Sequence, residues 1–240
     1  ARATPAVEAG ITVAPVTFPD PRYQGAVPVE VIAFYFPDTL APCDMLCKKP
    51  FLGNFYDLGE AGLELKGKRF RTAEAAFQAL KFWNKADQFT SLTGTEAWKL
   101  KTFLGIEQEE DQTYAGYGSN WAGMWAVLAA KFRPGTPCHE ALLQTGDAFL
   151  LEHNSKVGRD KIWSNNGTDG NGKNWLGLQL MLLRDMLCGD TSQMTWQPYL
   201  EIACGIDLNT GSGRHATEQG RVTWQQIVSQ ATQAVAMALT

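Results

Sequence analysis

Glu74, Gln78, Lys81 and Lys85 are spaced so that, at about 100° per residue, they fall in one narrow sector of a helix, while Ala75, Ala76, Ala79, Phe82 and Trp83 cover most of the remainder. A carboxylate and an amine two helical turns apart are the ingredients of proton transfer and nucleophilic attack at a single substrate carbon. If both flanks of the seam are buried, it faces an enclosed cavity, where lost hydration pushes the Glu74 pKa up and the Lys81 pKa down. Glu74 also lies in the first turn, where the helix dipole favours its ionised form and opposes part of that rise. A solvated face laced with weak side-chain pairs produces the same pattern. The spacing therefore leaves two readings open, a cleft wall or a plain surface.

A second polar feature is the run Asn165 to Asn174, which carries Gly167, Gly170 and Gly172 and is followed by Gly177. Its backbone N–H groups, together with a helix start just after Asn174, suit a phosphate or pyrophosphate. A surface turn ending in a helix cap is the alternative. Gly170-Asn171-Gly172 is neither a Walker A loop nor a dinucleotide fingerprint. The three histidines, His139, His153 and His215, sit in no motif that pairs them with a Ser or Cys nucleophile, so a hydrolase triad has little support. Trp121, Trp125, Trp163 and Trp175 are either stacking platforms for a base or core packers.

The elements that must position these groups read as follows. Residues 1–26, with Pro5, Pro15, Pro19 and Pro21, form an extended arm. Val29 to Phe36 reads as a strand and Leu63 to Phe70 as a second strand or small hairpin. Thr72 caps a helix running to about Ala86, Thr95 one that stops before Gly105, and Asn120 one that ends before Pro134. Thr136-Pro137 opens a fourth helix closed by Gly146, and a short strand at Phe149–Leu151 follows. A long apolar helix spans Trp175 to Cys188 and is ended by Gly189; residues 205–220 look like a linker. Thr223 to Leu239 places apolar residues at helical spacing and should pack on the main body. The expectation is an α+β, mostly helical single domain over residues 27–189, with a C-terminal extension over 190–240.

The 240 residues are 45% hydrophobic and 19% charged, a composition that buries a sizeable core. Lys and Arg number 21 against 25 Asp and Glu, so no excess of cations neutralises a phosphate backbone non-specifically, and any nucleic acid must be recognised locally. Cys43, Cys47, Cys138, Cys188 and Cys204 have neither the pairing nor the spacing of a disulfide framework or zinc site. No apolar run reaches the ~18–20 residues of a membrane span and no secretion signal is read, so the expectation is a soluble, cytoplasmic protein, with the nucleus open.

Five ordered blocks carry a family resemblance. They are Phe51-Leu52-Gly53-Asn54-Phe55-Tyr56, Phe70 to Lys81, Lys131-Phe132, Leu142 to Asp147, and Asp160 to Arg184. Together they resemble the NADAR family, also called YbiA-like, over Phe51 to about Leu187. The most specific pieces are the Asn-Phe-Tyr block, the helix with Glu74, Gln78 and Lys81, and the glycine loop. Where the family usually has Gly after Trp163, this chain has Ser164-Asn165-Asn166.

The resemblance implies an N-glycosidase that breaks a ribose C1–N bond without metal or redox cofactor. Family members look like enzymes on two substrate classes, ADP-ribose on guanine in nucleotides or nucleic acid, and phosphoribosylamino intermediates of riboflavin synthesis; the first is favoured here. It also implies Glu74, Lys81 and Asp160 as catalytic residues and Asn54, Phe55, Gln78, Trp121, Trp163 and Asn174 as substrate-binding wall. Lys173 with the Gly170 and Gly172 amides would hold phosphate. Lys81 would capture the anomeric carbon as a Schiff base while Glu74 moves protons. A two-carboxylate route, with Asp160 or Glu152 partnering Glu74, competes with it. A non-catalytic ADP-ribose reader is the alternative of another class.

Overall fold

The computed structural model describes residues 13–20, 25–34, 50–154, 156–189, 196–213 and 218–239. Strands β1 (Val16–Asp20) and β2 (Gly25–Val29) pair antiparallel, so the expected arm, where it is described, enters as one limb of a hairpin. Residues 1–12 of that arm lie outside the described residues. β3 (Val31–Phe34) pairs in parallel with β6 (Phe149–Glu152), in the register Val31↔Phe149 to Phe34↔Glu152. The strand expected over Val29–Phe36 is described only to Phe34. β4 (Leu63–Leu65) and β5 (Lys68–Phe70) form the expected hairpin.

The first helix, α1 (Ala73–Ala79), begins where expected because Thr72 Oγ1 accepts the Ala75 N–H at 3.1 Å, and all seven of its residues are buried. It does not continue regularly to Ala86. The chain tightens into a 3-10 helix over Leu80–Phe89 with breaks at Phe82 and Lys85. Leu80 and Phe82 lie on opposite sides of a regular helix, and the break lets both reach the core. Helix α2 (Gly94–Glu107) starts two residues earlier than Thr95, since Thr93 and Glu96 form a reciprocal capping box. It also runs through Gly105, a mid-helix cost of only ~1 kcal/mol.

Ser119 rather than Asn120 caps α3 (Asn120–Lys131), and Thr136 with Pro137 opens α4 (Pro137–Leu143) as expected. Helix α5 (Trp175–Leu187) is buried from Trp175 through Asp185 and packs against β6, which is itself buried at every position. Gly177 permits the approach, because a Cβ there would run into the Leu150 carbonyl. A short helix α6 (Trp196–Ile202) precedes the stretch expected as linker, and a two-residue pairing of β7 (Ile206–Asp207) with β8 (Ser212–Gly213) and the start of the last helix at Glu218 occupy part of it. Helix α7 (Glu218–Ala238) closes the described chain, with Trp224, Ile227, Val228, Ala231 and Val235 in the core. The result is a mostly helical α+β domain with a few short strands. Among the described residues no helix is long and apolar enough to cross a membrane.

Candidate active site

A cavity of about 590 Å³ opens where α1, the start of α2, α3 and the end of β6 meet the 159–163 turn. Asn54, Phe55, Glu74, Phe77, Gln78, Thr95, Trp98, Lys99, Met124, Glu152, Arg159, Asp160 and Trp163 line it. The wall reading of the α1 seam therefore holds for Glu74 and Gln78, both of them buried. The cavity gathers Asn54, Phe55, Asp160 and Trp163 of the expected residues around them.

Each side chain has a local reason for its place. Glu74 is anchored by its own N–H, which donates to Asn54 O at 2.9 Å, so the turn bearing Asn54 and the first turn of α1 are one unit. Lys131 props that turn from behind. Its Nζ donates to Gly53 O at 2.7 Å and lies over the Phe132 and Tyr56 rings, and burial pulls its pKa down to about 8. Asp160 Oδ1 accepts the Ile162 and Trp163 N–H groups at 2.8 and 3.0 Å, a tight turn that sets the Trp163 ring edge-on to Phe77. Glu152 ends an otherwise apolar strand, and its N–H donates to Asn174 Oδ1 at 2.9 Å.

The electrostatics suit proton transfer. Burial raises the Glu74 pKa to about 7, against the lowering effect of the Gln78 amide at 2.8 Å and of Lys81. Burial also holds the Glu152 carboxyl well above its usual range, and the charges of Asp160 and Glu74 add to the rise. Asn54 Oδ1, Gln78 Oε1 and Glu152 Oε2 are buried acceptors without a protein donor, three of the four such atoms among the described residues. A buried acceptor left unpaired costs about 1–3 kcal/mol. All three belong to residues that line this one cavity.

Several expected residues are elsewhere. Lys81 does not line the cavity: its Nζ sits 3.3 Å from Glu110 Oε2 and 5.6 Å from the centroid of the Phe77 ring. Burial lowers its pKa, while Glu110 and Glu74 act to raise it, so amine and acid sense each other across Phe77's helix. Lys85 pairs with Glu107. Trp121 faces the other side of α3, where its Nε1 donates to Leu208 O and it lines a separate hollow of about 420 Å³.

The Gly170 and Gly172 amides expected to hold phosphate are turned to carbonyls of the chain instead. The Gly170, Gly172, Lys173 and Asn174 N–H groups donate to Gly167, Asn165, Lys161 and Ser164 carbonyls, and the Trp175 and Leu176 N–H groups at the start of α5 donate to Ile162 and Trp163. These amides, the Gly170 and Gly172 N–H groups among them, are spent within the chain. Asn174 is fully buried and splices the loop to β6 through the Glu152 N–H and Leu150 O. Arg159, Trp98, Lys99 and Met124 were not legible as site residues. The nearest signal for any of them is an exposed Trp-Lys pair on a helix with little amphipathic pattern.

Similar proteins fit this architecture. A riboflavin biosynthesis protein of Vibrio vulnificus is 32% identical over 156 residues, 65% of this chain but only 38% of that protein's length. N-glycosidase YbiA of Escherichia coli (strain K12) is 29% identical over 140 residues, 56% of this chain and 81% of YbiA. The NMR structure of Escherichia coli YbiA superposes with a TM-score of 0.50 at 25% identity, covering 67% of this chain and 88% of that one. The NADAR domain matches residues 45–188, from just before the Asn54 turn to the end of α5, and so takes in every residue lining the cavity. With more than half its length matched, this chain belongs to the NADAR domain family.

Proposed function

We propose that the protein is an N-glycosidase that hydrolyses a ribose C1–N bond, with Glu74 delivering the proton to the leaving nitrogen. The observation that carries this reading is a carboxyl raised to about 7 by burial, in a cavity whose other buried acceptors lack donors. Such a carboxyl is part protonated at neutral pH, the state a general acid requires. Sugar hydroxyls or base N–H groups would satisfy Asn54, Gln78 and Glu152, and Phe77, Trp98 and Trp163 offer ring faces and edges to a base. Arg159 and Lys99, exposed and lining the cavity, supply the cationic rim for a phosphate. In the two-carboxylate route Asp160 stabilises the positive charge that develops at C1, and water adds there; Glu152, which burial pushes toward its neutral form, takes that part only where it is ionised.

For the substrate, the proposal is ADP-ribose attached to guanine in a nucleotide or nucleic acid. Phosphoribosylamino intermediates of riboflavin synthesis form a second reading, favoured by the relative named for riboflavin biosynthesis. A Schiff-base route through Lys81 is favoured by the burial that lowers its pKa, and it requires the amine to leave Glu110 and pass Phe77. The test is to incubate the protein with guanosine-linked ADP-ribose and, separately, with a phosphoribosylamino pyrimidine, following release of free ADP-ribose from the first and of free ribose phosphate from the second. Turnover of the first supports the proposal and turnover of the second alone selects the other reading. Binding without turnover of either points to a reader.

A further inference from the structure

The family match ends at residue 188, yet one wall of the cavity is held from beyond it. Helix α7 lies on the outer face of the glycine loop. Trp224 Nε1 donates to Lys173 O at 2.8 Å, and Gln225 Nε2 donates to Gly170 O at 2.7 Å and Gly172 O at 3.4 Å. Asn165 Nδ2 donates to Thr232 Oγ1 at 3.0 Å, and Thr232 Oγ1 in turn donates to Val228 O at 2.8 Å. The fit is close: a Cβ on Gly170 would lie 2.9 Å from Ser229 Cα and 3.1 Å from Thr232 Oγ1.

The inner face of the same loop carries the cavity. Residues 161–164 are laced to residues 173–176 by four backbone hydrogen bonds, and the first of these segments follows Asp160 and contains Trp163. Asn165 links the two faces directly, since its N–H donates to Glu152 O at 3.0 Å while its amide reaches Thr232. One residue therefore separates α7 from Glu152.

We infer that Thr232 and Gln225 are positioning residues for the cavity carboxyls, Thr232 acting through Asn165 on Glu152 and Gln225 acting through the Gly170 and Gly172 carbonyls on Asp160 and Trp163. The role in turnover rests on the N-glycosidase reading; the role in holding the loop does not. A loop with so many inward-turned amides has few apolar side chains of its own to hold it, and α7 supplies the missing surface. The segment outside the matched family region is on this account part of the working site.

The experiment compares Thr232→Val, Thr232→Ser and Gln225→Leu in the full chain. Three readouts are used: amide hydrogen exchange over residues 160–174, kcat and KM with their pH dependence, and the carboxyl 13C titration of Glu152. In Thr232→Val and Gln225→Leu, exchange across the loop is expected to quicken about 10-fold while α3 keeps its protection. A displaced Glu152 or Asp160 carboxyl lowers kcat about 10-fold with KM held within about twofold. Thr232→Val also moves the Glu152 titration and the matching limb of the pH profile, and Thr232→Ser, which keeps the hydroxyl, restores all three. Unchanged loop exchange with an unmoved Glu152 titration overturns the inference, as does a Thr232→Ser variant as impaired as the Val variant. Should the unmodified protein turn over no glycoside, the N-glycosidase reading fails, and exchange together with the Glu152 titration decides the inference alone.

Discussion

Gln78 donates its side-chain amide to Glu74 Oε1 across one turn of α1 at 2.8 Å, and in doing so commits its N–H to the acid while Oε1 is left buried without a donor. One residue thus orients the proposed proton donor and presents an acceptor to whatever enters the cavity. Gln78→Leu removes both roles with little change in volume. It should raise KM and lower kcat together, by about 10-fold each, the size of one buried hydrogen bond lost to the acid and one buried acceptor lost to the substrate. Steady-state kinetics on the turned-over glycoside provide the check.

Glu74→Gln should cost about 10²–10⁴-fold in kcat, the usual worth of a general acid. In the unmodified protein kcat/KM should fall as pH rises through about 7, because the protonated carboxyl of the free protein is the active form. Stability moves in the same sense. The Glu74 pKa is higher in the fold than in the unfolded chain, so the fold holds the extra proton between the two values and loses stability as pH rises from 4.5 to about 7. Denaturant midpoints should show Glu74→Gln more stable than the parent at pH 8 and closer to it at pH 5.

Lys81 separates the two chemical routes. Borohydride added during turnover should leave no adduct on Lys81 if the carboxylate route operates, and Lys81→Ala should retain more than about a tenth of kcat, since only the electrostatic help to Glu74 is lost. A trapped adduct on Lys81 by peptide mass spectrometry would replace that route with the Schiff base.

Lys131 carries a buried charge whose pKa in the fold, about 8, lies below its ordinary 10.5. The unfolded chain therefore binds the extra proton between these values, and stability should rise as pH climbs from about 8 to 10.5. Lys131→Met should flatten that rise, measured by chemical denaturation across the same range. It should also weaken substrate binding, because Gly53 O loses the Lys131 donor that braces the Asn54 turn.

Two glycines with the same left-handed backbone make a paired test. Gly59 and Gly170 have φ of +63° and +61°, yet a Cβ at Gly59 meets nothing within 4 Å while one at Gly170 meets α7. Gly59→Ala should cost about 1 kcal/mol from backbone strain alone. Gly170→Ala should cost about 2–4 kcal/mol, adding overpacking to the same strain, and thermal melts should separate them by several degrees.

Chain-local chemistry was readable from the sequence. Thr72, Thr136 and Pro137 mark helix starts because a cap acts within three residues, and Leu63 to Phe70 reads as a hairpin because alternation and a Gly turn are equally local. The Glu74–Gln78 seam was legible for the same reason, as both lie in one unbroken turn. Lys81 was projected along a helix whose regularity ends at Ala79, where the packing of Leu80 and Phe82 outweighs periodicity. The glycine loop suggested phosphate because inward-turned amides suit either an anion or carbonyls; only the tertiary fold decides which, and here the 161–165 and 167 carbonyls take them. Glu152, Arg159 and Asp160 meet Glu74 from a distant stretch of the chain. That meeting depends on β6 pairing with β3 and on α7 covering the loop, long-range contacts whose free energy comes from burial shared across the whole core rather than from any short stretch of residues.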